Sequence, residues 1–571
     1  MSANAGTLGN IGAADNTGAI AGENKHPKGL YVLFGTEMWE RFSFYSMLAL
    51  FTLYLRDPAE GFGWTAAEAT TLYANYLMFV YASPLIGGFI ADRFTGYRKA
   101  VMIGGFFFMA GHGLLSIPAL WAVYAALTCL VIGNGFFKPN VSTMVGNLYP
   151  EGSHLKDRAY NIFYMGINIG AFLAPIVMEI VKQNFGFHAA FAVAAFGMVI
   201  SVGILWYFKN LVEDPNALAE RQRSRNEATE KTNTAATAVD APPTGVSDQE
   251  RDENAPRTAD QTRQDTMNAV PDWKRIMALI VIFAIVIVFW MVFHQNGSTL
   301  TYWADDNTAW SVSGTISNSI NAFWVVTLTF PLIWFWGYLD RRGKEPATPT
   351  KMAIGMTLTG LSFLVLWYAA TVGENQAPTA QQLATGEFRI NERVVTNLGA
   401  QGVPKDVLDK IVAAKDADGK NLIYGVKFSP KEDATTKQMV SGEQQLMTAL
   451  NTVAPGQAAQ YREAFLQRAH LFRVSAFWLI FAYAIVTLGE LMLSPMGLSL
   501  VSKVAPINLR GLLMGGWFVA TAIGNKLTQI GVFWDIWLQS TFFLVLAGMA
   551  LVMAVVLFLL LKPLKKAMPG V

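Results

Sequence analysis

Three ionisable residues with helical spacing lie inside an apolar segment near the N-terminus. Glu37, Glu40 and Arg41 stand at positions i, i+3 and i+4, so a helix places them on one face. Charged groups inside a membrane are costly unless they face the protein interior and find partners. An internal ion pair that only fixes packing is one interpretation. One arginine neutralises only one of the two carboxylates, however. The second carboxylate has no cationic partner in this cluster and could carry a proton.

Further ionisable residues interrupt later apolar segments. Lys138 lies too deep in its segment to reach a surface easily, and we expect it to pair with a carboxylate of the first cluster. Glu490 is expected to face these residues from the other half of the chain, where it suits the amine of a zwitterionic ligand. A structural ion pair remains the alternative for both. His294 can titrate near neutral pH, although a lone histidine is as often a structural donor. Glu179 and Lys526 are expected near a membrane surface.

The composition indicates the environment of these charges. Of the 571 residues, 53% are hydrophobic and only 15% are charged, whereas soluble proteins carry about 25% charged residues. The formal net charge of +2 offers no field that attracts nucleic acid. The single cysteine, Cys129, excludes an intrachain disulfide and a cysteine-based metal site. No cofactor is expected, and residues 1–27 are predicted to form a disordered tail without a signal peptide.

Apolar stretches of membrane-spanning length occur twelve times, because a bilayer core needs roughly 20 apolar residues of helix. The predicted spans are 29–55, 67–92, 98–118, 121–149, 158–183, 187–209, 273–300, 314–340, 349–371, 472–500, 511–535 and 538–562. Lysine and arginine are concentrated in the short loops after even-numbered spans. The positive-inside rule therefore predicts a multi-pass protein of the inner membrane with both termini in the cytoplasm.

Two long polar segments divide the spans. Segment 210–272 contains almost no large apolar residues and is predicted to be a disordered cytoplasmic linker. It separates a bundle of six helices, 28–209, from a second bundle formed by 273–371 and 472–565. Segment 372–471 is predicted to be a periplasmic helical insertion, with helical spacing at Pro404–Ala414, Glu443–Val453 and Gln457–His470. Two bundles around a central site are typical of transporters that alternate their access.

Several motifs resemble a known family. The stretch from Gly88 to Arg98, Gly-Phe-Ile-Ala-Asp-Arg-Phe-Thr-Gly-Tyr-Arg, resembles the loop signature of the major facilitator superfamily. The stretch from Glu37 to Tyr45 resembles the E-x-x-E-R-F-x-Y-Y signature of proton-dependent oligopeptide transporters. The motifs around Phe163, Lys138, Glu490 and Trp517 are also similar to that family. The resemblance implies an all-α membrane protein with the major-facilitator fold and twelve transmembrane helices.

The resemblance also implies roles for individual residues. Glu37, Glu40 and Arg41, with Lys138, would couple protonation to substrate binding. Arg41 and Lys138 would face the carboxylate of a peptide, and Glu490 would face its amino group. The remaining residues implied to bind substrate are Tyr45, Tyr81, Asn168, Trp290, His294, Asn321, Ser494 and Trp517. An isolated asparagine in a membrane helix more often forms a hydrogen bond between helices than a ligand contact, and this holds for Asn168 and for Asn321.

The chain departs from the family pattern at the outer gate. Phe44 stands where the signature has its first tyrosine, and Leu48 stands where the family has an arginine. That arginine pairs with an acid in span seven, where this chain has Phe293 and His294. Both partners of the pair are missing together, so the outer gate must close by other contacts.

The sequence predicts a proton-coupled symporter that imports di- and tripeptides and works as a monomer. A proton-coupled transporter of a nitrate-like anion is one alternative, and a transport-like membrane sensor is another. An enzyme is excluded, since segment 372–471 carries neither a Ser/His/Asp set nor a metal constellation, and His470 is its sole histidine.

Overall fold

A computed structural model describes residues 26–149, 155–212, 269–310, 312–417, 419–433, 437–506 and 509–569. The tail predicted at 1–27 and the linker predicted at 210–272 lie almost entirely outside these residues. Helices dominate the described chain, and the apolar side chains form three separate cores. One core belongs to the helices before residue 213, one to the helices after residue 271, and one to the insertion between residues 374 and 476.

Helices occupy all of the predicted membrane segments. The first half contains α1 Lys28–Arg56, α2 Ala66–Ile90, α3 Tyr97–Leu115, α4 Leu120–Asn147 and α5 Leu155–Tyr207. The second half contains α6 Asp272–Phe293, α7 Thr299–Asp306, α8 Ser317–Asp340, α9 Thr348–Glu374, α16 Ala476–Val504, α17 Arg510–Leu527 and α18 Gln539–Ala567. Among the described residues, eight helical segments are long and apolar enough to cross a membrane. The chain is therefore a multi-pass membrane protein, while the number of twelve spans stays a prediction.

Spans five and six, predicted as separate helices, run together as α5 with a sharp break at Gly186. The backbone there has φ +84° and ψ 177°, a left-handed conformation that favours glycine. A Cβ atom at this position would lie 2.4 Å from a carboxylate oxygen of Glu60. The same carboxylate accepts a hydrogen bond of 2.7 Å from the backbone N–H of Phe187. The loop after α1 thus caps the helix that follows the break.

Span seven is longer than predicted and is interrupted. Helix α6 ends at Phe293, a 3-10 turn covers His294–Gly297, and α7 carries the chain on to Asp306. The interruption frees backbone carbonyls, and that of Gly297 accepts a hydrogen bond of 3.0 Å from the Thr52 hydroxyl. Helix α1 of the first bundle therefore contacts the break directly.

Segment 372–471 folds as a small unit with its own core. Its helices are α10 Ala380–Thr385, α11 Glu392–Ala400, α12 Lys405–Ala413, α13 Gly442–Val453, α14 Gln457–Gln460 and α15 Arg462–Ala469. Two strand pairs accompany them: β2 Phe388–Arg389 is antiparallel to β3 Lys427–Phe428, and β4 Lys431–Glu432 is antiparallel to β5 Met439–Val440. A parallel pair, β1 Thr308–Ala309 with β6 Val474–Ser475, joins the ends of spans seven and ten. The short strands were not predicted, because two-residue pairings leave no periodicity in a sequence.

Candidate functional site

The acid–base cluster of α1 is buried, and its two acids differ. Arg41 donates two hydrogen bonds to Glu40, of 2.5 and 2.6 Å. Its contact with Glu37 is single and longer, 3.3 Å from Nε to Oε1. The second carboxylate oxygen of Glu37 is buried and has no hydrogen-bond partner. The Arg41 guanidinium also lies over the Phe44 ring, 4.7 Å from the centroid. Glu40 is thus the ion-pair partner of Arg41, and Glu37 is the spare carboxylate.

Arg41 is less available to a ligand than predicted. Its exposed fraction is 2%, and its guanidinium is occupied by both acids and by the ring of Phe44. A bidentate arginine–carboxylate pair is directional and strong. In this conformation Arg41 serves the internal ion pair and offers no surface to a peptide carboxylate.

Lys138, on α4, does not form the ion pair that the sequence predicts. No carboxylate oxygen of the described residues lies within 4.0 Å of its Nζ atom. The ammonium instead lies over the Tyr81 ring, 5.0 Å from the centroid. A cation over an aromatic face is stabilised by the ring quadrupole. Lys138 is half-buried; it interacts electrostatically with Glu37 and Glu40 but forms no direct ion pair with a described residue.

The aromatic residues predicted to line the site pack behind Lys138. Tyr81 and Trp290 flank His294, with ring centroids at 5.6 and 4.9 Å and the indole stacked on the imidazole. His294 and Trp290 are only 6% and 8% exposed. Trp517 is 3% exposed and packs edge-on against Phe283. These side chains form a wall of the site, and in this conformation they offer little surface to a ligand.

Glu490 and Asn321, both implied by the resemblance to bind substrate, come together on the second bundle. The Asn321 amide donates hydrogen bonds to Glu490 Oε2, 3.0 Å, and to Thr487 Oγ1, 2.9 Å. Both Asn321 and Glu490 are half-buried. Helix α16 lies close to α9 here, since a Cβ atom at Gly489 would be 2.6 Å from the Gly355 carbonyl oxygen. The glycine pair permits this close approach beside Glu490.

Tyrosines of the first bundle lie near Glu490. Electrostatic interactions connect Glu490 with Tyr45, Tyr81 and Tyr164, so the carboxylate faces across the bundle interface. Asn168 is 8% exposed and donates to the backbone oxygen of Tyr164 on its own helix, at 2.9 Å. The structure therefore gives Asn168 a local bond, and Tyr164 is a site residue that was missed. Tyr164 belongs to the motif around Phe163 that resembles the family, and this motif was the signal that could have identified it.

Ser494 follows Glu490 by one helical turn and is half-buried. Its position at i+4 places it on the same face of α16. Among the described residues, no group of three or more His, Cys, Asp or Glu side chains is arranged to hold a metal ion.

The side of the molecule predicted to face outward is closed by ions that surround Asp306. Arg389 of the insertion forms an ion pair with Asp306 Oδ2, and Lys427 Nζ lies 3.4 Å from Oδ1. Arg56, at the end of α1, lies 3.9 Å from Oδ2, and its guanidinium is 4.1 Å from the centroid of the Tyr302 ring. We call Arg56, Asp306, Arg389 and Lys427 the outer seal. It connects the first bundle, the second bundle and the insertion.

The carboxylates around Lys427 and Arg389 change the pKa values of these two cations of the insertion. Burial would lower the pKa of Lys427, but the carboxylates of Asp305, Asp306 and Glu387 outweigh it and raise the pKa above its usual range. Burial likewise opposes the charge of Arg389, and Asp306 foremost raises the pKa of that guanidinium. Lys427 and Arg389 therefore stay cationic at any physiological pH.

Two more groups of contacts close the same side. Glu179, expected near a surface, is 4% exposed; it accepts from Lys182 at 2.8 Å and from the Ser313 hydroxyl at 2.5 Å. Glu179 is buried because the loop before α8 covers the part of α5 that precedes the break at Gly186. The insertion also reaches the loop after α1, where Lys420 donates to the Pro58 carbonyl oxygen at 3.0 Å.

Two opposed helical bundles, with ionisable side chains buried at their interface and a closed outer side, define a membrane transporter with a fold of the major-facilitator type. Comparison with known proteins identifies the family. A model described as the POT family matches residues 98–403 and 445–533. The chain belongs to the POT family, whose members are transporters and not enzymes.

The relatives cover nearly the whole chain. The chain is 27% identical to the uncharacterized transporter YclF of Bacillus subtilis, with 96% of each chain covered. It is 25% identical to the di-/tripeptide transporter of Lactococcus lactis subsp. lactis, with 95% of this chain and 97% of the relative covered. A crystal structure of the peptide transporter POT in complex with sulfate superposes with a TM-score of 0.66 at 26% identity, covering 96% and 97%. These relatives support peptide transport as the activity.

Proposed function

We propose that this protein imports di- and tripeptides together with protons across the inner membrane, with both termini in the cytoplasm. The observation that supports this most is a pair of opposite charges across the bundle interface, neither of which forms a direct ion pair among the described residues. Lys138 on the first bundle has no carboxylate within 4.0 Å among the described residues, and Glu490 on the second is held only by the neutral groups of Asn321. A zwitterionic peptide fits a site with a cation on one side and an anion on the other.

The two ends of the peptide are assigned to these two residues. Lys138 binds the carboxylate, because Arg41 is already engaged by Glu40 and Glu37. Glu490 binds the amino group, and Asn321 orients the carboxylate by donating to Oε2. A bound peptide then bridges both bundles and favours the closed state through its differential affinity for that state.

Glu37 is assigned to carry the proton. Its second carboxylate oxygen has no hydrogen-bond partner, and a buried polar atom without a partner is costly. A proton on that oxygen removes the charge and leaves Arg41 with Glu40 alone. Glu40 is less suited, because both of its oxygens accept from Arg41. The membrane potential contributes about 2.3 kcal/mol per charge per 100 mV to inward proton movement.

The outer seal is assigned as the outer gate. It replaces the family pair that Leu48 and Phe293 or His294 cannot form. Arg56 lies two helical turns beyond Leu48 on α1, and Asp306 lies beyond the interruption of span seven. This gate therefore lies further outward than the gate pair of the family. At this position the insertion contributes Arg389 and Lys427.

The test is uptake of labelled dialanine into proteoliposomes, with and without an inward proton gradient. Concentrative uptake that requires the gradient is expected. Binding without uptake would favour a membrane sensor over a transporter. Failure of both uptake and binding would reject the peptide assignment and make anion transport the next hypothesis to test.

A further inference from the structure

A cavity of about 330 Å³ opens between the first turns of α3 and the last turns of α5. Three cationic residues, Arg98, Lys99 and Lys209, contribute to its lining, which is almost entirely apolar, so their charges lie at its rim. Arg98 donates to the backbone oxygen of Lys209 at 3.3 Å, which holds the two chain segments together at the rim. No carboxylate of the described residues lies within 4.0 Å of any of the three charges. Within the described part of the chain, the rim is thus a basic site without a direct anionic partner.

The floor of this cavity is apolar. Met102, Ile103 and Leu205 line it below the cations, and Ile103 is 38% exposed. Trp206 also lines the cavity, is 60% exposed, and has Lys209 Nζ 5.6 Å from its ring centroid. Exposed tryptophan beside lysine is typical of the membrane–water interface. The cavity therefore combines a basic rim at headgroup depth with an apolar floor that continues toward the lipid-facing surface.

We propose that this cavity binds an anionic phospholipid of the cytoplasmic leaflet, with its phosphate at the basic rim and an acyl chain along the floor. Basic pockets between transmembrane helices on the cytoplasmic side are suited to anionic headgroups. Free phosphate would contact the cations of the rim but would leave the apolar floor of the cavity exposed to water. The positive-inside orientation places the start of α3 and the end of α5 at the cytoplasmic surface.

The test is native mass spectrometry of the full-length purified protein with added phosphatidylglycerol or phosphatidylcholine. The variant Arg98→Gln/Lys99→Gln/Lys209→Gln removes the rim charges. The matched control is Lys562→Gln/Lys565→Gln/Lys566→Gln, which removes three exposed lysines from the end of α18. Each basic group near a membrane surface contributes about 1 kcal/mol. We expect the rim variant to bind phosphatidylglycerol at least about tenfold more weakly, and the control to differ from wild type by less than about twofold.

Competition with glycerophosphoglycerol, which has the headgroup but no acyl chains, tests whether the site binds a whole phospholipid or only a phosphate group. We expect glycerophosphoglycerol not to displace the bound phospholipid. Displacement would show that the site recognises the headgroup alone and would overturn the proposal, as would equal losses in the rim variant and the control. If the triple variant fails to fold, Lys209→Gln is expected to weaken phosphatidylglycerol binding by about fivefold, and no change would overturn the proposal equally.

Discussion

The outer seal and the central site use the same types of residue in opposite ways. Around Asp306, each buried charge has at least one partner of opposite sign within 4.0 Å. In the central site, the Lys138 ammonium lies over an aromatic ring and the Glu490 carboxylate accepts from an amide, and neither forms an ion pair within 4.0 Å among the described residues. Direct ion pairs hold two bodies together, whereas charges without a direct ion pair leave capacity for a ligand.

This difference shows how a transporter separates closing from binding. A buried ion pair breaks only at considerable cost, because the charge left behind lacks both water and a partner. Under the proposed function, the seal closes the outer side without the substrate. The central charges cost stability, and we propose that a bound peptide and a proton offset this cost. The predictions below alter one region at a time and start with the largest expected effect.

Lys138→Ala removes the unmatched cation of the central site. We expect proton-driven uptake of dialanine to fall at least about 100-fold, because the peptide carboxylate loses its only ionic partner on the first bundle. Uptake into proteoliposomes measures the effect. Lys526→Ala is the matched control, since the Lys526 ammonium is already bound to Asn75. Concentrative uptake that survives Lys138→Ala would contradict the assignment.

Glu37→Gln and Glu40→Gln separate the two acids of α1. Glu37→Gln mimics the protonated form, so we expect loss of accumulation against a gradient while peptide counterflow continues. Glu40→Gln deprives Arg41 of its bidentate partner and should also reduce counterflow and thermal stability, because the guanidinium stays buried. Identical behaviour of the two variants in counterflow would show that the structure does not distinguish their roles.

Asp306→Asn breaks the outer seal. Arg56 and Arg389 lose the acid that they share, and removing one partner of a buried ion pair costs about 3–5 kcal/mol. We expect a lower Tm and faster maleimide labelling of Thr52→Cys in a Cys129→Ser background, because Thr52 lies behind the seal.

The control for the seal is Asp406→Asn. Asp406 forms an ion pair of 3.8 Å with Lys410 within the insertion, and both side chains are more than half exposed. Exposed pairs contribute little, so neither Tm nor labelling should change. If Asp306→Asn behaves like Asp406→Asn, the seal is not the outer gate.

Glu490→Gln tests the amino-group subsite. A hydrogen bond to a charged group contributes about 1.5–3 kcal/mol, so competition by peptides with a free amino group should weaken about tenfold or more. Amino-acetylated peptides of the same sequence should lose far less. An equal loss for both classes of peptide would refute the assigned contact.

The smallest expected effect concerns pH and the insertion. Burial lowers the pKa of His470, with Arg473 adding to the shift and Gln382 and Glu387 opposing it. The folded insertion thus favours the neutral imidazole. Its contribution to stability is complete above the usual histidine pKa near 6.5 and declines as the pH falls below that value. We expect amide exchange in 380–474 to accelerate between pH 7 and 5, with a smaller change in His470→Gln.

Much of the central site could be predicted from the chain alone. The spacing of Glu37, Glu40 and Arg41 is local, and a helix fixes which of these residues share a face. Lys138 and Glu490 were recognised because a charge inside an apolar segment is costly wherever the segment lies. The sequence could not predict which of these charges pair with each other. Arg41 forms its bidentate ion pair with Glu40 and not with Glu37 because of the side-chain geometry. For the same reason the sequence could not show that Lys138 interacts with Glu37 and Glu40 at longer range, without a direct ion pair.

The sequence by itself determined which segments are apolar, which of them carry charges, and that the family's outer gate pair is absent. Only the tertiary structure showed which residues stand in place of that gate pair. Arg389 and Asp306 are 83 positions apart and belong to segments that look unrelated. They meet because the insertion folds around its own core and rests on the outer ends of both bundles. Ion pairs act over a few ångströms, so their partners are chosen by this packing and leave no pattern along the chain.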